Sequence, residues 1–399
     1  MGLVCPQLFL FNEPNILMII GIDASNILAG GGLTHIHELL RAANPSQHGF
    51  YKVIVWGAKS TLDKIDNRDW LYKVLVPLLD QNLLYRLFWQ RFRLKKLAEE
   101  AECNVVFILA GYDVSGFKTV VTMSQNLLPF EWKEMRRDLR LLKIIRLLAI
   151  RFAQIYSFRK AKGVIFLTAF ARDIVLKLTG PLKCKTAIIP HGVSSQFFIP
   201  PRQQIRYNQF NIDRPCRIIY VSIVDLYKHH TQVVEAVAKL RSVGIPVVLE
   251  LIGPHGSGIK KLNEKIQCVD VNRKFVVYSG AVSYNTIHAL YSSADIGVFA
   301  SSCETFGMIL LEMMSAGLPV ACSNRSSMPE VLGDAGLYFD PESSDSIALK
   351  LRELIASHEL REKFAQLSFE RAQKYSWAKC ADETFGFLSE IAKGSADNV

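Results

Sequence analysis

Short β-branched runs and longer helical stretches take turns along almost the whole chain, and this alternation restricts the fold more than any other feature. In the first half the runs are residues 15–22 (NILMIIGI), 51–56 (YKVIVW), 105–110, 119–122, 164–167 and 185–190. In the second half they are residues 217–222 (RIIYVS), 247–252 (VVLELI), 275–278, 296–299 and 319–321. Apolar runs of strand length separated by helices mark a parallel sheet covered on both faces. Between the halves, residues 198–204 (FIPPRQQ) hold two prolines that interrupt any regular element. The pattern therefore predicts an α/β chain of two doubly wound halves facing one another, residues 1–198 and 199–376. Ligands of such sheets bind outside the carboxyl ends of the strands. No sequence repeat relates the halves.

Length and composition agree. The 399 residues suffice for two cores, and 50% hydrophobic content excludes a disordered chain. Eight scattered cysteines without C-x-x-C or Cys/His ligand spacing argue against a disulfide scaffold or structural zinc and fit a reducing cytosol. Mean hydropathy of +0.17 with a net charge of +10 suits nucleic acid, an anionic membrane surface or a phosphate-rich substrate. The apolar stretch 1–11 has no Lys or Arg before it and no small-residue cleavage site, so it is not expected to be a signal peptide. Pro6 stands where a myristoylation motif needs Ser or Thr. No uncharged apolar run reaches bilayer-spanning length, so any membrane contact would lie on the surface.

Chemistry concentrates in residues 301–341. Glu304 and Glu312 stand eight residues apart with Gly307 between them, where a strand end leads into a helix that stops near Gly317-Leu318-Pro319. Glu304 would occupy the strand-to-helix loop and Glu312 the second helical turn. The helix N-terminus around residues 307–309 offers unpaired amides and a positive dipole end to a diphosphate. Carboxylates accept hydrogen bonds from sugar and ribose hydroxyls, so this arrangement could grip a nucleotide sugar at both ends.

The segment resembles the E-x7-E region of retaining GT-B glycosyltransferases of family 4. It matches in spacing, in Phe306-Gly307, in the following A-G-L-P-V and in the later P-E-V, and the likeness continues at the Trp377 helix. The resemblance implies a GT-B fold, two Rossmann-like domains facing across a cleft, with residues 377–399 a helix crossing back to the N-terminal domain. It further implies that Glu304 contacts the donor sugar and that Phe306, Gly307, Met308 and Ile309 approach sugar and diphosphate. Glu312 would bind the ribose, and Val282, in the loop near residues 280–284, would border the donor. Lys228 occupies the family position that contacts the diphosphate and would offset charge on the departing nucleotide. Five residues earlier, where the family often carries an arginine, stands Ile223. Lys228 would then act alone with helix amides, or with His229, His230 or an arginine of the N-terminal domain.

Two sites on the N-terminal half complete this frame. Gly30-Gly31-Gly32 after the first strand lets backbone approach a phosphate; it is neither G-x-G-x-x-G nor a P-loop. In the family this loop closes on the donor, so Gly31 and Gly32 are donor-side candidates. Gln125 and Asn126 stand where many relatives carry a histidine close to the reacting sugar, on the acceptor side. An amide cannot take a proton at neutral pH, which agrees with a front-face reaction in which the leaving phosphate receives the acceptor proton. His191 reads as packing at the hinge. The sequence contains no D-x-D, so neither a metal nor a cofactor is expected beyond the donor itself.

Residues 132–162 hold ten Lys and Arg against two acids, a net +8. At about 100° per residue, Arg136, Arg137, Arg140 and Lys143 share half of a helix, with Leu141, Leu142, Ile145, Leu148 and Phe152 opposite. A core-facing helix with a solvated charged face would show the same periodicity, but a basic amphipathic helix reads as a membrane-surface element, worth about 1 kcal/mol per cation near anionic lipid. Residues 83–96 (LLYRLFWQRFRLKK) add aromatic and basic side chains suited to a headgroup boundary. No nucleic-acid-binding motif accompanies the charge. The expectation is retaining, metal-independent hexosyl transfer from a nucleotide-diphosphate sugar to a glycan or lipid-linked saccharide. It would serve cell-envelope polysaccharide or glycolipid synthesis, in the cytoplasm at the inner face of a membrane. A GT-B-fold sugar-nucleotide epimerase, or a non-catalytic nucleotide-sugar-binding subunit suggested by Ile223 and Gln125, are the alternatives.

Overall fold

The structure is a computed structural model and describes residues 17–28 and 30–396. The stretch 1–11 and the first residues of the run 15–22 lie outside them. Two parallel sheets form. The N-terminal sheet comprises β1 (Met18–Asp23), β2 (Phe50–Gly57), β3 (Leu71–Leu75), β4 (Val105–Ile108), β5 (Val120–Ser124), β6 (Gly163–Phe166) and β7 (Lys185–Ile188), in the order β3-β2-β1-β4-β5-β6-β7. The C-terminal sheet comprises β8 (Cys216–Val221), β9 (Val247–Ile252), β10 (Val276–Tyr278), β11 (Ile296–Phe299), β12 (Val320–Ser323) and β13 (Gly336–Phe339), in the order β10-β9-β8-β11-β12-β13. The halves thus share a strand order without a visible sequence repeat. Central strands such as β1, β4, β5 and β11 are buried at every position, as helices on both faces require. β3 and β13, which the sequence reading does not contain, are edge strands; β3 is largely exposed and interrupted by Lys73, whereas β13 is a short apolar run that the reading missed.

In each sheet the order reverses beside the first strand, between β1 and β4 and between β8 and β11. Chain reversals of this kind leave a crevice at the carboxyl ends of the two strands. The loops after β1, β8 and β11 carry the glycine turn, Lys228 and Glu304.

The C-terminal helix Trp377–Ala396 crosses back and packs on the Gly31–Ala42 helix of the N-terminal domain. Gly163 in β6 makes room for it, since a Cβ there would lie 2.8 Å from the Phe387 ring. The two passages of chain between the domains run side by side, joined by a bridge between Val193 and Ser376. A Cβ on Gly192 would stand 2.1 Å from the backbone nitrogen of Trp377.

Residues 132–162 depart from the single amphipathic helix predicted above. A short helix Trp132–Met135 ends, and a second begins at Leu141 and runs to Lys160. Arg136, Arg137 and Arg140 lie in the break, and only Lys143 of the four cations is on the long helix. The break is built by Asp138, whose carboxylate accepts from the Arg140 backbone (3.3 Å), the Arg140 guanidinium and Lys143 (3.0 Å). Local side-chain bonding of this type competes with helix. On the long helix the buried residues are Leu147, Gln154, Ser157 and Phe158, so the apolar side chains Leu142, Ile145 and Phe152 face solvent rather than the core.

Candidate active site

Lys228 closes a 3-10 turn (Leu226–Lys228) after β8. Its carbonyl accepts from the Tyr220 hydroxyl (2.6 Å), and His229 follows in the left-handed region, which turns the chain into the next helix. The Lys228 ammonium, its side chain 6% exposed, is ion-paired with the Glu304 carboxylate and lies 5.2 Å from the centroids of the Tyr227 and Phe299 rings. Glu304 sits in the loop between β11 and the helix Met308–Ser315. Ser326 fixes that loop, accepting from the Glu304 amide and donating to its carbonyl, both at 2.8 Å. Gly307 caps the helix at φ +92°, where a Cβ would also meet Met328 at 2.7 Å, so only glycine fits. The first helical amides have no carbonyl a turn behind them to bond and open towards the cleft.

Glu312, buried in the second turn, accepts from the Tyr284 and Tyr291 hydroxyls at 3.2 and 3.3 Å. Burial pushes its carboxyl up to about 7, and the two phenols hold it back only in part. Phe306 is buried edge-on against His191 and Tyr375.

The N-terminal domain forms the facing wall. A Cβ on Gly31 would meet Met308 across the cleft at 3.2 Å, and one on Gly32 would meet the Gln125 side-chain oxygen at 3.4 Å. Thr305 donates to the Gln125 carbonyl (3.3 Å), and Thr168 donates to the Thr305 carbonyl (2.7 Å). A cavity of about 370 Å³ results, lined by Gly31, Gly32, Gln125, Lys228, Glu304, the segment 306–309 and Glu312. Two sequence candidates are not among its walls. Val282 packs against the C-terminal core, and the Asn126 side chain accepts from the Leu128 amide (3.1 Å) in a turn.

Other wall residues escaped the sequence reading as site residues. Tyr284 adds a phenol and Thr34 a hydroxyl; His191 was read as packing. His191 does both, lining the cavity while its Nδ1 meets that of His35 at 2.9 Å beside Trp377. Burial holds both rings neutral, His35 down to about 3, so one imidazole donates and the other accepts. Neither His229 nor His230 supplies the second cation considered above. Burial lowers His229 to about 4 and His230 to about 3, and His230 stacks on Tyr220. Among the described residues that line the cavity, Lys228 is the only cation.

Behind the ion pair the two domains are clasped. The Ser302 hydroxyl meets His229 Nε2 (2.9 Å) and donates to Glu134 of the N-terminal domain (2.6 Å). Glu134 is held by Arg137, which also reaches Glu342 of the C-terminal domain, as does Lys133. Lys133 and Arg137 together hold the Glu342 carboxyl down at about 2. Arg137 is therefore engaged between domains.

Two sheets of this order closing on such a cleft define the GT-B class of glycosyltransferase folds. Residues 202–371, in the C-terminal domain, match the model of the family "Glycosyl transferases group 1", and the chain has the GT-B fold. The chain is 26% identical to O-antigen chain mannosyltransferase B of Escherichia coli over 57% of its own length and 60% of the relative's. It is 25% identical to the GDP-mannose-dependent alpha-(1-6)-phosphatidylinositol dimannoside mannosyltransferase of Mycobacterium tuberculosis, over 61% of this chain and 62% of that one. The matches thus span about 60% of these curated relatives. Sucrose-phosphate synthase from Thermosynechococcus elongatus superposes with a TM-score of 0.76 at 16% identity, over 94% of this chain and all of that structure.

Proposed function

We propose that this protein transfers a hexosyl unit from a nucleotide-diphosphate sugar to a glycan or lipid-linked saccharide, with retention at the anomeric carbon and without a metal ion. The observation that carries this reading is the Lys228–Glu304 ion pair at the mouth of the Met308–Ser315 helix, with Glu312 one turn further in. The pieces match the parts of such a donor. Glu312 takes the ribose, Lys228 and the amides of residues 307–309 take the diphosphate, and Glu304 takes the sugar. In the reaction the bond from the anomeric carbon to the diphosphate oxygen breaks while that to the acceptor oxygen forms on the same face. The acceptor proton passes to the leaving phosphate. Gln125, which cannot act as a base, orients hydroxyls. The mannosyl and phosphatidylinositol chemistry in the relatives' names supports a hexosyl donor and a membrane-borne acceptor. The reading extends to cell-envelope polysaccharide or glycolipid synthesis, with the protein in the cytoplasm on the inner face of a membrane.

Thermal-shift screening against a panel of nucleoside diphosphates, followed by transfer assays with the matching sugar nucleotides, tests the reading. A ligand of the native state raises the melting temperature. Lys228→Met is expected to lower transfer by about 100-fold or more, the usual loss when a group facing developing charge is removed. Unchanged transfer by Glu304→Ala would remove the site assignment, and donor turnover without any acceptor would favour an epimerase.

A further inference from the structure

Of the 25 large hydrophobic residues that stand exposed among the described residues, 11 fall in residues 84–92 and 132–156 of the N-terminal domain. Eight of them form two neighbouring ridges. On the Leu141–Lys160 helix, Leu142 (82% exposed), Ile145, Phe152 (68%) and Tyr156 lie within about a quarter of the circumference at 100° per residue. The second ridge belongs to the Leu83–Trp89 helix and the π-helical turn Gln90–Leu94 that continues it. Leu84, Tyr85, Phe88 and Phe92 point outward there, with the two Phe rings 4.9 Å apart. Gln90, fully buried, anchors the π turn by donating to Asp23 at the end of β1 (2.6 Å) and so fixes the direction of Arg91 beside it.

Between the ridges runs a groove of about 390 Å³ with Arg91 and Lys160 among its walls. Its floor is Asp113, held by Ser115 and Ser157. Residues 83–96 and 141–160 carry ten Lys and Arg and not one Asp or Glu. Apolar ridges of this size are costly in water and mark an interaction surface. Three of the ten are ion-paired within the chain, Lys95 with Glu99, Lys96 with Glu100 and Lys143 with Asp138, and the face remains net basic; an anionic lipid surface matches both that charge and the apolar tips.

We infer that this two-ridge face seats on an anionic lipid bilayer, with the ridge side chains at the headgroup–acyl boundary and a headgroup phosphate between Arg91 and Lys160. The face runs along the side of the N-terminal sheet, from its carboxyl edge, where Gln90 meets Asp23 at the end of β1, to Lys160 just before β6 at its amino edge. A saccharide carried on a lipid would reach the cleft around the Asp23 end, beside the glycine turn that follows β1. This rests on and deepens the proposed membrane-borne acceptor: it moves the cationic contact from Arg136, Arg137 and Arg140 to Arg91 and Lys160, and keeps residues 83–96 and the apolar side of the long helix, both read above as suited to a lipid surface.

The test is co-sedimentation of the full chain with phosphatidylcholine vesicles, with and without 30% phosphatidylglycerol as a probe mixture (roughly the charge density of an anionic leaflet). Binding is expected only with the anionic lipid and should weaken with salt. R91E/K160E and I145S/F152S should each lower it at least tenfold while keeping the wild-type melting temperature, and Arg136→Glu should leave it within twofold. Wild-type protein that stays in the supernatant, or ridge variants that sediment like wild type, overturns the inference. So does ultracentrifugation that shows a dimer which I145S/F152S dissociates. Nucleoside diphosphate binding is measured in parallel, so failure of the donor reading is recognised separately.

Discussion

At the scale of single residues, the site pairs one buried cation with one carboxylate and keeps a second carboxyl close to neutrality. A carboxyl raised by burial binds its proton more tightly in the folded chain than in the unfolded one, so stability is lost as pH rises from its ordinary value of 4.5 through about 7. At about 1.4 kcal/mol per unit, Glu312 costs the unliganded protein about 3 kcal/mol above neutrality. Glu312→Gln keeps the shape and a partner for each phenol. The variant is expected to gain about 3 kcal/mol on wild type between pH 4 and pH 8 in denaturant titrations, and to lose nucleotide affinity. A stability difference that stays flat across that range would show that Glu312 does not titrate near neutrality. In the proposed reading the cost has a use: a carboxylate already stripped of water would accept ribose hydroxyls without further desolvation.

At the scale of elements, what the sequence made legible was whatever it kept local. Glu304, Gly307 and Glu312 lie on one strand–loop–helix unit, so their spacing alone brings them to one cavity. The edge strand β3 was not legible, because its largely exposed residues carry no continuous apolar run, and the short apolar run of β13 was missed. The break between the two helices of residues 132–160 was hidden because periodicity was counted straight through Asp138. The clasp formed by Glu134, Ser302 and Glu342 was beyond reach for another reason. Its members are separated by as many as 208 residues along the chain and meet only when the domains close. It also gives Arg137 a measurable role. Arg137→Gln should lower stability, and the cycle of Arg137→Gln with Glu342→Gln should give a coupling of about 1 kcal/mol, the scale of a partly exposed ion pair. A coupling of zero would mean that the pair is incidental.

At the scale of the molecule, the C-terminal helix makes the two domains a closed circuit of chain: out along residues 189–201, back through Ser376 into Trp377. The passages touch at Gly192, where a methyl group would overlap the Trp377 nitrogen. Gly192→Ala is therefore expected to destabilise the fold by about 3 kcal/mol or more, the range of changes that force backbone apart. Melting temperatures close to wild type would show that the passages part easily. The arrangement also fixes how the cleft can open. Any opening of the cleft must bend both passages where they touch, at residues 192–193 and 376–377. His191 and Phe306 pack on each other and on Trp377 and Tyr375 beside that contact, so this wall of the pocket lies where relative displacement of the domains is smallest.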